Sequence, residues 1–231
     1  FNDKNIYLSS SLPALNAILQ NKKNSINKNS LSTFISYGYW DPIELGLFEN
    51  IDCAIPGYVY TLNKNKKFSK SKYLFSAENL SYKSIRDCLD EVIYNQIPEE
   101  VDFSIALSGG LDSNILAYAL SKTNRDFKAF SLKIPTAKNE YKYINQTIND
   151  LNIYHEYISI ETNQVIDESK NIIKKLGLPL RSSQPIYQSF LRKRASELGS
   201  RVFFTGDGAD EIFGGYLQGF FYFLRDKNFD L

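Results

Sequence analysis

Two glycine-rich segments that carry aspartate constrain this chain more than any other feature. The first, Ser108–Ser113, reads Ser-Gly-Gly-Leu-Asp-Ser, and the second, Gly206–Tyr216, reads Gly-Asp-Gly-Ala-Asp-Glu-Ile-Phe-Gly-Gly-Tyr. Each follows a short run of apolar, β-branched or aromatic residues, as a loop does when it leaves a parallel strand. Because ligands bind outside the carboxyl ends of the strands in open α/β sheets, we expect the two loops to form one site for a nucleotide and a metal ion.

The composition excludes several other classes of protein. Hydrophobic residues make up 43% and charged residues 23% of the 231 residues, and the net charge is +1, so charge gives no indication of a nucleic-acid or membrane partner. Cys53 and Cys88 are too far apart in sequence for a CxxC zinc pair. His155 is the single histidine, which argues against Ser-His or Cys-His catalysis, and we expect it to begin a strand without a catalytic role. With no long apolar run and no signal-peptide pattern, we predict a cytoplasmic enzyme.

The first 75 residues read as a β-rich remnant, too short for a comfortable domain of its own. We predict strands at Asn5–Ser10 and Ile55–Leu62 and helices at Pro13–Leu19 and Ser30–Tyr37. The Lys/Ser-rich stretch Asn63–Lys72 is the best candidate for a linker. The chain has no Met, so we expect it to be a piece of a longer protein.

From Ser76 onward, helical and strand patterns alternate. The predicted helices cover residues 82–96, 112–123, 140–151, 163–176 and 187–198, and the predicted strands cover residues 103–107, 127–134, 156–160 and 201–205. Alternating segments with short links predict an α/β fold with a parallel sheet and helices on both of its faces.

The segment Ser108–Ser113 has the chemistry of a phosphate-binding loop. Adjacent glycines let the backbone approach an anion, and their N–H groups add to the positive end of the helix that follows. Ser108 and Ser113 can add hydroxyl donors. The alternative is a tight turn in which Asp112 only caps its helix. The loop lacks the lysine of P-loop NTPases, which fits an enzyme that grips and releases pyrophosphate.

These segments resemble a known family. Ser108–Ser113 resembles the PP-loop of ATP pyrophosphatases, and Gly206–Tyr216 resembles the signature of asparagine synthetases. Between them, Arg181–Tyr187 resembles a stretch of the same synthetase domain, and Phe130–Leu132 matches the place where that family contacts adenine. Ser30–Leu62 is similar to the end of the family's N-terminal glutaminase domain.

The resemblance implies an architecture of two parts. Residues 76–231 would be the N-terminal part of a parallel-sheet synthetase domain of the PP-loop (adenine nucleotide alpha-hydrolase-like) type, truncated at its end. Residues 1–75 would be the C-terminal part of a β-rich, Ntn-type glutaminase-like domain. The resemblance covers nearly the whole chain.

The resemblance also implies a set of site residues. The residues expected to bind ATP are Leu107, Ser108, Gly109, Gly110, Leu111, Asp112, Ser113, Leu132, Thr205 and Gly206. Asp112 and Asp210 would bind Mg²⁺, because magnesium prefers one or two carboxylates together with phosphate oxygens; the alternative for Asp210 is a turn-capping carboxylate. Asp207 stands where the family usually has Glu and would help to form the acyl-adenylate. Arg181 could orient a carboxylate or phosphate through a bidentate contact, or form a surface ion pair.

The function implied is ATP-dependent amide formation through an acyl-adenylate, with AMP and pyrophosphate as products. Asparagine synthesis from aspartate and glutamine or ammonia is the first hypothesis. The alternatives are a cyclase of the β-lactam synthetase or lasso-peptide type, and a non-catalytic nucleotide-binding homologue. ATP and Mg²⁺ are the expected cofactors, no nucleic-acid or membrane partner is expected, and a homodimer is one option for the assembly.

Overall fold

The computed structural model describes residues 6–19, 25–38, 46–63, 67–73, 84–133 and 138–216. The helices are α1 (Leu12–Ile18), α2 (Lys28–Tyr37), α3 (Ile85–Gln96), α4 (Leu111–Ser121), α5 (Lys138–Leu151), α6 (Thr162–Leu176), α7 (Gln184–Glu197) and α8 (Ala209–Phe213). The strands are β1 (Tyr58–Leu62), β2 (Phe68–Lys72), β3 (Phe103–Ala106), β4 (Lys128–Leu132), β5 (Tyr154–Ile158) and β6 (Val202–Phe204).

The chain divides into two compact units. The first comprises residues 1–81 together with 167–183, and the second comprises residues 82–166 together with 184–231. This division lies close to the predicted boundary at residue 75, but a second segment of the chain joins the first unit. The assignment of residues 1–75 to a glutaminase-like domain stays a prediction.

The first unit corrects two predictions. Strand β2 pairs antiparallel with β1, with Tyr58 opposite Lys72 and Leu62 opposite Phe68, so the C-terminal half of the predicted linker is a strand. Its alternating Lys and Ser residues suit the exposed edge of a small sheet, where charged side chains are common. Ile6–Ser10 has no regular secondary structure, so the strand predicted there is wrong over these residues.

The second unit contains a parallel sheet of four strands in the order β5-β4-β3-β6. Ala129 of β4 lies beside Ile105 of β3, and Phe204 of β6 lies beside Ile105 on the other side. The pairing of β3 with β6 therefore brings together strands that are about a hundred residues apart in sequence. Because all four strands run in the same direction, their carboxyl ends form one edge.

Helices cover both faces of this sheet, as predicted. On one face Ile105 and Ala129 pack in a cluster with residues of α3, α4 and α5, which include Ile93, Leu120 and Ile144. On the other face Phe130 packs against α7 through Leu191 and Ala195. Neighbouring residues of a strand point to opposite faces, so Ala129 and Phe130 serve different helices. The α/β fold class is confirmed.

Differences from the predicted boundaries are small in this unit, with one omission. β5 begins at Tyr154, two residues before the predicted strand, so His155 lies inside the strand. The short helix α8 within the second loop was not predicted, because five residues between glycines show no helical period. Over the described ranges, no helix combines the length and apolar character needed to cross a membrane.

Candidate nucleotide site

The first loop connects the buried strand β3 to helix α4. Gly110 is the N-cap of α4, and Asp112 is the second residue inside the helix. Asp112 is therefore not the helix cap, and the alternative in which it only caps the helix is wrong. The first N–H groups of a helix have no partner within it, and the helix dipole makes that end positive. The start of α4 is thus suited to an anion.

Hydrogen bonds that join Ser108, Gly110 and Ser113 fix the shape of this loop. The Ser108 N–H donates to Ser113 Oγ at 3.2 Å, and Ser113 Oγ donates to the Gly110 carbonyl at 3.1 Å. The Gly110 N–H in turn donates to Ser108 Oγ at 3.3 Å. Ser113 is 5% exposed, whereas Ser108 is exposed. Ser113 therefore organises the loop from inside, and Ser108 is the hydroxyl that a ligand can reach.

Gly109 is required by both conformation and space. Its φ is +79°, in the left-handed region that favours glycine, and a β-carbon would lie 2.8 Å from the carbonyl oxygen of Glu140. The same β-carbon would lie 3.2 Å from Cγ1 of Ile144. Helix α5 therefore packs directly behind the Ser108–Ser113 loop and leaves no room for a side chain at residue 109.

The second loop leaves β6 through Thr205 and Gly206 and meets the first. A β-carbon at Gly206 would lie 3.1 Å from Cβ of Asp112 and 3.2 Å from the backbone nitrogen of Ser113. The two glycine-rich segments are thus in van der Waals contact at the carboxyl edge of the sheet. Thr205 and Gly206 are half-buried at this contact.

The acidic part of the second loop forms the turn around α8. Asp210 and Glu211 occupy the first turn of this helix, and both are exposed. Tyr216 donates a hydrogen bond to Glu211 Oε1 at 2.9 Å. This bond, followed by desolvation and then by the negative charges of Glu211, Asp210 and Asp207, raises the pKa of the Tyr216 hydroxyl above its usual value. The carboxylates of the loop are thus close enough together for all of them to affect the Tyr216 hydroxyl.

Asp210 is packed against the end of its own turn. The Gly215 N–H donates to the Asp210 carbonyl at 3.0 Å, and a β-carbon at residue 215 would lie 1.7 Å from Asp210 Oδ1. Any side chain at residue 215 would displace the Asp210 carboxylate. The glycine at this position is therefore part of how Asp210 is placed.

Asp207 is held by two glutamines of α7. Gln184 Nε2 donates to Asp207 Oδ1 at 3.0 Å, and Gln188 Nε2 donates to Asp207 Oδ2 at 3.5 Å. The two glutamines are four residues apart and so lie on the same side of the helix. Gln188 Oε1 is buried and has no hydrogen-bond partner in the described part of the chain. Both oxygens of the carboxylate thus face amide donors.

The arrangement of acids fits a metal ion that arrives with a nucleotide. The described residues contain no group of three or more His, Cys, Asp or Glu side chains that could hold a metal ion by themselves. Magnesium is usually bound by one or two carboxylates together with phosphate oxygens and water. The half-buried Asp112, in the first turn of α4, is suitably placed to be a carboxylate ligand of such an ion.

The remaining predicted residues lie as follows. Leu107 is buried at the end of β3, and Leu132 is half-buried at the end of the neighbouring strand β4. Leu111 is 74% exposed at the first turn of α4. Arg181 is exposed and belongs to the segment 167–183 of the first unit, whereas the other predicted site residues belong to the second unit. Its role stays a prediction.

Sequence reasoning missed Gln184 and Gln188. A signal was present, because Gln184 lies within Arg181–Tyr187, the stretch that resembles the synthetase domain, and Gln188 follows it at a spacing of four residues. That spacing alone gives no partner, since Asp207 is about twenty residues away in sequence and reaches the glutamines only through the β6 connection.

Comparisons with known proteins point to one family. Residues 84–230 match the model of the family described as asparagine synthase. A probable glutamine-hydrolysing asparagine synthetase of Dictyostelium discoideum is 25% identical over 163 residues, which cover 63% of this chain and 28% of that protein. Asparagine synthetase B of Escherichia coli is 24% identical over 162 residues, covering 62% and 28%. The root enzyme of Pisum sativum is 23% identical over 198 residues, covering 78% and 33%. The matches thus span about a third or less of each relative.

Solved structures also show similarity. An NMN synthetase from Francisella tularensis has a TM-score of 0.41 and 20% identity, over 57% of this chain and 58% of that one. A glutamine-dependent NAD+ synthetase from Acinetobacter baumannii, solved with ADP, has a TM-score of 0.44 and 15% identity, over 68% and 31%.

Proposed function

Because the chain belongs to the asparagine synthase family, we propose that it is part of a ligase that activates a carboxylate with ATP and converts it into an amide. The observation that carries the proposal is the packing of Gly206 on Asp112 and Ser113. This contact joins an anion-binding helix end to an acidic loop, as an enzyme that handles a nucleotide with its cation requires.

The chemistry proposed has two steps. A carboxylate oxygen attacks the α-phosphorus of ATP, and the bond between this phosphorus and the oxygen that bridges to the β-phosphorus breaks. Pyrophosphate departs, and the acyl-adenylate remains. The nitrogen of an amine then attacks the acyl carbon, the bond to AMP breaks, and the nitrogen loses a proton. Family membership and the glutamine-hydrolysing relatives support aspartate as the acid and glutamine-derived ammonia as the amine.

The first loop would hold the phosphates. Gly109 and Leu111 would offer backbone N–H groups at the start of α4. Ser108, whose Oγ accepts from the Gly110 N–H, would offer its hydroxyl. Such donors stabilise charge that develops on the departing pyrophosphate without reorganising during the reaction. Asp112 and Asp210 would hold a magnesium ion, which when bound neutralises part of the phosphate charge.

Other residues would place the adenosine and the acid. Leu107, Leu132 and Thr205 lie at the carboxyl ends of the strands, where adenine and ribose would bind. Asp207, fixed by its glutamine donors, would act on the reacting carboxylate or its adenylate, and Arg181 would orient an anionic group. Catalysis would come mostly from positioning and charge neutralisation.

The experiment is pyrophosphate release by the full-length protein. ATP and Mg²⁺ are supplied with aspartate and glutamine, with aspartate and ammonia, or with no acid. We expect release to require the acid, and we expect Asp112→Asn and Asp210→Asn each to reduce it by about a hundredfold or more. The matched control is Asp87→Asn, which changes an exposed aspartate in the first turn of α3.

The outcomes separate the parts of the proposal. Release that needs no added acid would contradict carboxylate activation, because water would then be the group that attacks ATP. Release with an acid other than aspartate would correct the substrate alone. Full magnesium-dependent turnover by both Asn variants would show that the metal assignment is wrong.

A further inference from the structure

His155 is the only histidine of the chain, and the chemistry above does not use it. It lies on β5, half-buried, and its Nε2 atom is 2.8 Å from the Oγ atom of Ser131 on β4. Its ring meets the ring of Tyr157 edge-on, with 4.4 Å between centroids. The imidazole is therefore held in one orientation, aimed at a buried hydroxyl.

The direction of this hydrogen bond follows from the next one. Ser131 Oγ is 2.5 Å from the carbonyl oxygen of Leu107, at the end of β3. A carbonyl only accepts, so the single proton of the serine hydroxyl is donated to Leu107. The His155 ring must then donate its Nε2 proton to Ser131. Burial lowers the pKa of His155 to about 4, so the ring is neutral at pH 7 and its Nδ1 atom is unprotonated.

The chain of hydrogen bonds continues into the phosphate loop. The Leu107 carbonyl and the Ser108 N–H belong to the same peptide unit. On its far side the Ser108 N–H donates to Ser113 Oγ, which donates to the Gly110 carbonyl. One peptide plane is thus held at both ends, and hydrogen bonds run without a break from His155 on β5 to the Gly110 carbonyl at the N-cap of α4.

Water cannot easily replace the inner part of this chain. Ser131 is 2% exposed and Leu107 is 1% exposed. Without the imidazole donor, the buried Ser131 oxygen keeps the cost of desolvation, and its hydroxyl is no longer held in the orientation that donates to Leu107. A Leu107 carbonyl that loses the Ser131 proton would draw the Leu107–Ser108 peptide toward another donor, and Ser108–Ser113 would lose its geometry.

We propose that His155 is a positioning residue for the phosphate loop, acting through Ser131 on the Leu107–Ser108 peptide. The inference rests on the proposed function, because it assumes that Ser108–Ser113 binds the phosphates of ATP. His155 touches no substrate in this arrangement. Its contribution is to keep the loop in the conformation that accepts the phosphates, so it affects the binding of the nucleotide rather than the chemical step.

The test uses three variants of the full-length protein. His155→Leu removes the donor, and His155→Gln keeps an amide N–H near the position of Nε2. Ser200→Ala is the matched control, because Ser200, just before β6, forms a buried serine–serine hydrogen bond with Ser104 of β3 and not with a residue of the loop. We expect His155→Leu to raise KM for ATP by about tenfold, with a smaller change in kcat. We expect His155→Gln to recover most of the loss, and Ser200→Ala to leave KM for ATP unchanged.

Three results would overturn the inference. These are equal KM values for His155→Leu and the parent protein, equal KM increases in His155→Leu and Ser200→Ala, and no recovery in His155→Gln. Imidazole ¹⁵N NMR, assigned by comparison with His155→Gln, gives a second readout that needs no activity. A neutral ring protonated at Nε2 supports the relay, and one protonated at Nδ1 contradicts it. If the parent protein binds no ATP while the Nε2 tautomer is present, the proposed function has failed and the relay stands as a structural feature only.

Discussion

Gly206 approaches Asp112 so closely that a β-carbon at residue 206 would lie 3.1 Å from the β-carbon of Asp112. The backbone of Gly206 is outside the left-handed region, so space rather than conformation requires glycine here. The two loops touch through atoms near the main chain. A side chain at this position must therefore push one loop away from the other.

We predict that Gly206→Ala weakens the binding of ATP by about tenfold or more, because crowding of a packed contact costs about 1–3 kcal/mol. The displaced atoms belong to the first turn of α4, which would hold the phosphates. Isothermal titration with ATP and Mg²⁺ measures the change. The control is Gly57→Ala in the first unit, where φ is +78° and no atom lies within 4 Å of the added β-carbon. That variant should lose some stability and keep its affinity, and unchanged affinity in Gly206→Ala would contradict the prediction.

The glutamine pair on α7 gives a second prediction. Replacing Gln184 and Gln188 with Ala leaves Asp207 without its two amide donors. We expect kcat for pyrophosphate release to fall by about tenfold, because a catalytic group that is no longer oriented loses effective positioning. The melting temperature should change little, since Gln184 is exposed and the buried Oε1 atom of Gln188 has no hydrogen-bond partner to lose in the described part of the chain.

Lys193→Ala provides the comparison for this double variant, because Lys193 is an exposed residue of the same helix. It tests whether a change of helix propensity alone affects turnover. The idea that α7 orients Asp207 would be untenable if the double variant and Lys193→Ala had the same kcat.

A third prediction concerns the contact between α7 and the edge strand β5. Arg194 binds Glu156 through two hydrogen bonds of 2.8 and 3.1 Å, and this pairing lowers the pKa of the Glu156 carboxyl. A lowered folded-state pKa gives stability that is present above the ordinary pKa of the group and is lost as the pH falls through the folded-state value. Glu156→Gln should therefore lower the melting temperature at pH 7 and make a progressively smaller difference as the pH falls below 4.5.

Glu197→Gln is the matched variant, since Glu197 contacts the same arginine from the next turn of α7 and is more exposed. We expect its effect at pH 7 to be smaller. Equal effects of the two substitutions, or a difference for Glu156→Gln that does not shrink as the pH falls below 4.5, would contradict this account of the contact.

The fourth prediction concerns acid stability. Burial lowers the pKa of His155 from 6.5 to about 4, with the nearby negative charge of Glu156 opposing the shift. Between these pH values the unfolded chain binds a proton that the folded chain does not, so stability decreases as the pH falls from 6.5 toward 4. His155→Gln cannot titrate and should lack this component. Melting temperatures of both proteins from pH 7 to pH 4.5 test it, and parallel curves would show that His155 does not titrate in this range.

The sequence was sufficient to predict the parallel sheet, since β3, β4 and β6 are apolar runs followed by loops. It also indicated that Ser108–Ser113 and Gly206–Tyr216 would meet, because carboxyl ends of parallel strands share an edge. That reasoning requires only that the strands run parallel, and the alternation of helical and strand patterns along the sequence predicts this.

The supporting contacts could not be predicted in the same way. Whether His155 reaches Ser131 depends on the order of β5 and β4 in the sheet and on which face each residue takes. The linker prediction was wrong at β2 because an exposed hairpin strand can be rich in Lys and Ser, a composition that is also typical of loops.

The sheet order also has a consequence for how the chain acquires its site. β3 is complete near residue 106, but its neighbour β6 follows only after residue 201. During synthesis one side of β3 therefore stays unpaired until nearly a hundred more residues have been made. Strands that are so far apart in sequence are slow to pair. The phosphate loop emerges early and gains its acidic counterpart late. A nucleotide that bridges the two loops would then favour the completed sheet over partly folded states, linking ligand supply to the yield of folded protein.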